Sequence, residues 1–414
     1  MSLTDQSGLR VRPICLVVLL AFLAACQESD RTQIAVRDLP VPAGASSQLP
    51  HLSKSEDGTV VMSWVEQRHA TATLRHARLS DAGWTLPVTV ASGDRWFVNW
   101  ADFPSVVPIR GRIWAAHWLT KSRGGYYAYD VAMATSRDAG ATWSSPSTPH
   151  QDGTATEHGF VTLFPWNGDV GVVWLDGRRT AEPPSGSAAS KGMTLRGARI
   201  GPDGDARDGE LIDDLVCDCC QTDAAMGPDG PFVVYRNRTT DEIRDIRLAR
   251  FVDDAWEADI SVGEDGWEIA GCPVNGPAID VVGNSVAVAW YTEAQGRARV
   301  RLSRSRDGGA GFGPPIDVSA DRPIGRVDVV QSPDGETFVS WLRRGDDDSA
   351  ELRLSRLAPD GSVAMETVVA RTSAARPSGF PQMISDAHSL IFAWTEPGED
   401  DSRIRSARVE LTER

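Results

Sequence analysis

The chain has 414 residues, with 57 acidic against 42 basic side chains and a formal net charge of −15. So acidic a chain lacks the basic face that nucleic acid requires, which sets that class of partner aside. With 41% hydrophobic residues, 38 Gly, 25 Pro and 14 Trp, it has the apolar and turn-forming residues for one large repeat domain or two ordinary ones.

The N-terminus comes first. Arg10 and Arg12 precede an apolar run over residues 14–25 that is too short to span a bilayer comfortably. The run ends Leu23-Ala24-Ala25-Cys26, which resembles a bacterial lipobox. The resemblance implies a signal peptide over 1–25, diacylglyceryl transfer to Cys26 and a lipidated tether over 26–33. Gln27, rather than Asp, follows the cysteine; in bacterial lipoproteins this implies passage to the outer membrane, facing the periplasm or the surface. Several acyl chains on one cysteine give stable anchoring where one would not. No other stretch is apolar enough to be a membrane helix, so the anchor is the expected membrane contact.

A β-rich run ending in an aromatic then recurs through the body. It reads Val60-Val61-Met62-Ser63-Trp64, Ile113 to Trp118, Val170 to Trp174 and Phe232 to Tyr235, then Val286 to Trp290, Thr337 to Trp341 and Leu390 to Trp394. The seven copies lie about 50 to 60 residues apart, a period typical of propellers. Turn signals precede most of them: Asp57-Gly58, Asn167-Gly168, Asp229-Gly230 and Asp334-Gly335. Each unit reads as four strands, a to d. In the second unit these fall near 103–109, 113–118, 129–135 and 143–148. The expected fold is an all-β propeller of four-stranded blades over 34–414, with seven blades favoured over six. The seventh unit stops after its third strand (404–411), and the orphan segment 33–41 reads as the missing fourth strand, closing the ring and leaving no free edge.

Ser136-Arg137-Asp138-Ala139-Gly140-Ala141-Thr142-Trp143 matches the Asp box of sialidases and related propellers, and Ser305 to Phe312 is a decayed second copy. The resemblance implies a sialidase-like propeller, with the box as a structural turn between strands c and d and its Trp packed between blades. It supports a fold and not an activity.

Chain polarity then sorts the loops. The d–a and b–c connections share one face, opposite the Asp boxes, and carry the chemically distinctive residues. Asp102, His158, Asn275, Trp267 and Arg326 fall in d–a loops, and Asp176, Arg178, Arg236, Arg238, Glu242, Arg244 and Asp245 on the b–c side. Polar groups converging on one concave mouth define the candidate ligand site. Arg236, Arg238 and Arg244 are candidates for a cationic pocket holding a carboxylate, as sialidases do with three arginines; an ion-pair network with Glu242 and Asp245 is the alternative. Cys217, Cys219, Cys220 and Cys272 lie in adjacent d–a loops. Outside the cytoplasm these favour disulfides, with Cys272 joined to Cys219 or Cys220; a soft-metal site and reactive thiols remain the alternatives. The segment from Cys217 to Pro277 also resembles a group of exported sialidase-like propellers.

A sialidase needs three arginines, a Tyr nucleophile activated by Glu, and an acid/base Asp. The family's Arg-Ile-Pro motif is missing from the sequence. The nearest candidates are Tyr235 with Glu242 as the pair and Asp176 or Asp223 as the acid. The reading is therefore a membrane-anchored propeller binding a glycan, a small anion or a metal at its mouth, with no resident cofactor expected. Exo-sialidase or related glycoside hydrolase activity and an envelope scaffold are the alternatives.

Overall fold

The computed structural model describes residues 1–3, 33–181, 192–201, 209–386, 389–399 and 401–412. The signal segment, Cys26 and the tether up to residue 32 lie outside the described residues. Among the described residues no helix is long and apolar enough to cross a membrane.

Seven antiparallel sheets follow one another along the chain as the blades of a β-propeller. Their innermost strands are Ser47–Lys54, Ser105–Arg110, His158–Trp166, Asp223–Met226, Ala278–Val282, Pro323–Gln331 and Gln382–Asp386. The seven recurring apolar runs form the second strand of each blade. The aromatics that end them, Trp64, Trp118, Trp174, Tyr235, Trp290, Trp341 and Trp394, are all buried. These second strands have neighbours on both sides and both faces covered. That is why they read as continuous apolar runs rather than as alternating ones.

The seventh blade is completed from the other end of the chain. Gln33–Asp38 pairs antiparallel with Ser402–Thr412, in a register running from Gln33 opposite Thr412 to Asp38 opposite Ala407. The second blade departs from the four-strand expectation. After Tyr129–Ser136 its fourth strand shrinks to a single bridge between Met133 and Ser147. Pro146 and Pro149 flank that bridge, and neither has an N–H to extend a ladder.

The Asp box performs the structural role expected of it. Asp138 accepts hydrogen bonds from the hydroxyls of Ser136 (2.8 Å) and Thr142 (2.6 Å) and from the Thr142 N–H (2.8 Å). Trp143 meets His76 of the preceding blade edge-on, with ring centroids 6.0 Å apart. In the decayed copy, Asp307 still accepts the Ser305 hydroxyl (2.6 Å) and the Gly311 N–H (3.1 Å).

The inner strands solve a problem that the sequence does not announce. Each is an edge strand facing the channel, with main-chain N–H groups that lack a partner within their own sheet. Asp223 accepts the N–H of Ile279 in the next blade (2.9 Å), Asp280 that of Gln331 (2.6 Å), and Asp328 that of Met383 (2.7 Å). One carboxylate per blade thus sews four consecutive inner strands together. These three aspartates line a central cavity of about 300 Å³.

Candidate functional site

The loop ahead of the second blade lies across the channel. Trp100 stacks on Phe380 of the seventh blade's approach loop, with centroids 5.9 Å apart. Gln221, ahead of the fourth blade, donates to the carbonyl of Ala101. Asp102 accepts the N–H of Phe160 in the third blade at 2.8 Å. Ala101, Phe160 and Phe380 share one apolar cluster with the half-buried Trp100 and Phe103. The loop is therefore a plug seated on three other blades, and the cavity behind it runs toward Lys54 and Ser385. Several inner strands enter through a bulge at a residue with positive φ: Leu49 (59°), Phe160 (52°) and Arg326 (56°). Bulges re-aim side chains, and Arg326 comes to lie beneath the face of Trp100.

Asp102 is buried. It accepts the phenol of Tyr129 at 3.0 Å, and the same phenol donates to Glu157 at 2.7 Å. Burial pushes both carboxyls up to about 7. Of this Tyr–Glu–Asp group only Asp102 was among the sequence candidates, because the members lie in different loops and share no motif.

His158 stacks on His150, with centroids 4.0 Å apart, and its Nε2 lies 3.1 Å from Asp152. Arg178 grips Asp176 through two hydrogen bonds of 2.8 Å. Burial pushes the Asp176 carboxyl up, but Arg178, His158 and Trp174 outweigh it and hold the group below its ordinary range. A carboxylate so held does not serve as a general acid near neutral pH. Asp223, the other acid candidate, is raised to about 7 by burial, and its oxygens accept the Ala224 and Ile279 N–H groups.

The structure does not join Tyr235 to Glu242. The Tyr235 phenol donates to Asp213 (2.7 Å). Glu242 is clasped by Arg238 (2.5 Å) and Arg244 (2.8 Å). Arg238 also pairs with Asp218 at 3.0 Å. Arg236 is buried under the Trp267 ring, 4.9 Å from its centroid. It donates to the carbonyls of Asn275, Arg244 and Tyr291 at 2.7 to 3.0 Å. Asp245 accepts the N–H groups of Gly266 and Trp267. Asn275 accepts the Arg326 N–H (2.7 Å) and donates to the carbonyls of Pro273 and Ile324. Of the ion-pair network the sequence offered, the Glu242 pairs with Arg238 and Arg244 are present, whereas Arg236 binds carbonyls and Asp245 binds main-chain N–H groups.

A different set of arginines surrounds Trp100. Arg326 is 4% exposed and bonds Ser378 (2.6 Å) and the carbonyl of Gly379 (2.8 Å), its guanidinium 5.0 Å from the Trp100 ring centroid. Arg376 is exposed and lies 5.9 Å from the same ring. Burial, then repulsion from Arg344 and Arg376, lowers Arg326 to about 10. Arg344 and Arg376 have no ion pair among the described residues. On the same face Tyr126 and Tyr127 stand 73% and 59% exposed, edge to face with centroids 4.9 Å apart.

The four cysteines come together as free thiols. The sulfurs of Cys217 and Cys220 lie 3.1 Å apart, and the sulfurs of Cys217, Cys219 and Cys220 lie within 4.8 Å of one another. Cys272 meets Cys219 through its thiol. Burial opposes ionisation of Cys217, but hydrogen bonds from Cys219 and Cys220 outweigh it and hold the thiol well below its ordinary value.

These features define the class as a seven-bladed β-propeller with a plugged mouth ringed by arginines, aromatics and thiols. It is similar over 92% of its length to 99% of a protein of unknown function from Dyadobacter fermentans (TM-score 0.52, 13% identity). It is similar over 88% of its length to 90% of the polysaccharide lyase Uly1 (TM-score 0.50, 11% identity). A NanB sialidase variant from Streptococcus pneumoniae aligns over 91% of this chain and 94% of its own, at TM-score 0.46 and 10% identity. At such identities the likeness speaks to fold alone. No family model and no curated protein matches the sequence.

Proposed function

We propose that the protein is an exported, lipid-anchored propeller that captures an acidic glycan at the plugged mouth. The observation that carries this reading is Arg326 and Arg376 beside Trp100, with Arg344 near enough to repel Arg326. Three like charges are close enough for the outer two to lower Arg326, and Arg344 and Arg376 are exposed with no protein anion paired to them among the described residues. An incoming carboxylate relieves that repulsion and finds planar donors suited to two-point binding. Tyr126 and Tyr127 supply exposed aromatic faces of the kind that sugar rings pack against. The polysaccharide-acting proteins that share the fold are consistent with a carbohydrate ligand. The lipobox-like Cys26 suits a protein held at the outer membrane.

The test is calorimetric binding of sialyllactose, an oligouronate and neutral lactose to soluble Cys26→Ser protein. The reading expects both acidic sugars to bind and lactose not to, with Arg376→Ala and Arg344→Ala each weakening binding roughly 10-fold or more, a loss of about 1.4 kcal/mol. Equal binding of lactose, or no effect of either substitution, would overturn it. Turnover of a fluorogenic sialoside, lost in Tyr129→Phe, would convert the reading from capture to hydrolysis.

A further inference from the structure

We propose that Cys217, Cys219 and Cys220, with Cys272 as an outer ligand, form a thiolate site for one soft d10 metal ion, Cu(I) or Zn(II). This site is distinct from the Trp100 arginine group and does not depend on it.

The geometry argues for a preformed site. Zinc–sulfur bonds of about 2.3 Å place the sulfurs around one ion roughly 3.8 to 4.0 Å apart. The three sulfurs already lie within 4.8 Å of one another, with one pair at 3.1 Å, so an ion needs only sub-ångström spreading to seat. A disulfide would instead require the Cys217–Cys220 pair to close from 3.1 Å to about 2.05 Å.

The frame around the sulfurs is rigid. Cys217 directly follows the outer strand Glu210–Val216 and donates its N–H to the carbonyl of Arg236 (2.9 Å). Just past Cys220, Gln221 accepts the N–H of Gly276 (3.1 Å), which joins the two cysteine-bearing loops. Gly276 is obligatory at that joint, because a Cβ there would sit 2.1 Å from the Gln221 carbonyl oxygen.

Charge and access also fit. Thiolates are soft ligands that select Cu(I) and Zn over hard cations. Three of them with one ion leave a net negative charge, and cations are in place to balance it. The Arg244 Nη1 donates to the Cys217 sulfur at 3.3 Å, and Arg236 lies beneath the same loop. Cys217 and Cys220 are buried, whereas Cys272 is exposed and in contact with Cys219. Cys272 thus offers the step by which an ion passes between solvent and the buried trio.

The experiment uses the full chain carrying Cys15→Ser and Cys26→Ser, so that the four rim cysteines are the only thiols. Protein reduced without oxygen is titrated with Cu(I) against a coloured Cu(I) chelator, and in parallel with Zn(II) against a zinc indicator. The expected result is one retained ion per chain. Cys217→Ser/Cys220→Ser should weaken retention by roughly 100-fold or more, and Cys272→Ser by about 10-fold. Unchanged apo melting temperatures would show that the variants fold. Retention of one ion and not the other assigns the metal. Retention of neither, or retention indifferent to Cys217→Ser/Cys220→Ser, would overturn the proposal. So would protein recovered from cells with a Cys217–Cys220 disulfide that mild reductant does not open. Sialyllactose binding measured on the same samples reports the glycan reading separately.

Discussion

The side-chain amide of Gln221 donates to the carbonyl of Ala101 at 2.5 Å while its oxygen accepts the N–H of Gly276 at 3.1 Å. One buried amide therefore holds three loops that approach three different blades: the plug, the Cys217–Cys220 segment and the Cys272 segment. Gln221→Leu leaves a buried carbonyl and a buried N–H without partners. Each such orphan costs about 1 to 3 kcal/mol, so the variant should lose roughly 3 kcal/mol by urea unfolding. Near-native stability would show that the plug is held by its apolar contacts alone.

Arg236 offers a second separation of roles. Its guanidinium is consumed by the carbonyls of Asn275, Arg244 and Tyr291. Arg236→Met should destabilise the protein by about 3 kcal/mol, because buried acceptors lose a charged donor. Arg236→Lys should recover only part of that, since a point charge cannot serve three diverging carbonyls. A variant that keeps its stability but loses sialyllactose binding would return Arg236 to the ligand.

Two groups of buried titrating residues pull stability in opposite directions with pH. Asp102, Glu157 and Asp223 are raised to about 7 by burial. Their contribution is full below the unfolded carboxyl pKa and is lost as pH rises toward 7. His51 and His150 are lowered to about 4 and His117 to about 3, again by burial. Their contribution is present above the unfolded histidine pKa and is lost as pH falls toward 4. Each residue changes stability by at most about 1.4 kcal/mol per pH unit within its window. Burial also raises Asp328 and Asp280 and lowers His76, so melting temperatures should change only gently from about pH 5 to 6.5 and fall as pH rises past 6.5, where the histidines no longer offset the carboxyls. His51→Asn/His117→Asn protein should instead become more stable as pH drops from 7 to 5. A double variant with a profile parallel to the parent's would refute this balance.

The Asp boxes should matter to stability and not to ligand. Asp138→Ala removes three acceptor contacts from one exposed turn, and Asp307→Ala removes the matching contacts in the weaker copy. The first should lower the melting temperature more than the second. Neither should alter sugar or metal binding, which calorimetry on the folded variants would check.

The propeller was legible because its burial is periodic. Seven apolar runs ending in an aromatic mark seven second strands, and the orphan strand at Gln33–Asp38 was readable from the seventh unit's missing partner. The lost fourth strand of the second blade was legible only in hindsight, in Pro146 and Pro149. The loop face was readable from chain polarity, but which residues meet there was not. Tyr235 and Glu242 are near in sequence, yet each binds another partner. Tyr129, Asp102 and Glu157 are far apart and converge. Arg344 escaped notice because it ends a strand, in no motif. The seam aspartates did leave a faint trace, an Asp followed by Ala or Val in Asp223-Ala224, Asp280-Val281 and Asp328-Val329. Only the channel geometry gives that pattern meaning.

The closing strand ties the lifetime of the whole ring to its smallest piece. Gln33–Asp38 is made before every other described strand but has no partner until Ser402–Thr412 exists. Such distant pairing makes assembly slow, with two sticky edges waiting in the meantime. Departure is easier than arrival. Six residues held on one side only are the first to fray, and their release uncovers the edge of the last blade while the other six stay intact. Resistance to proteases and to edge-to-edge aggregation then depends on how often those six residues let go, more than on the depth of the core.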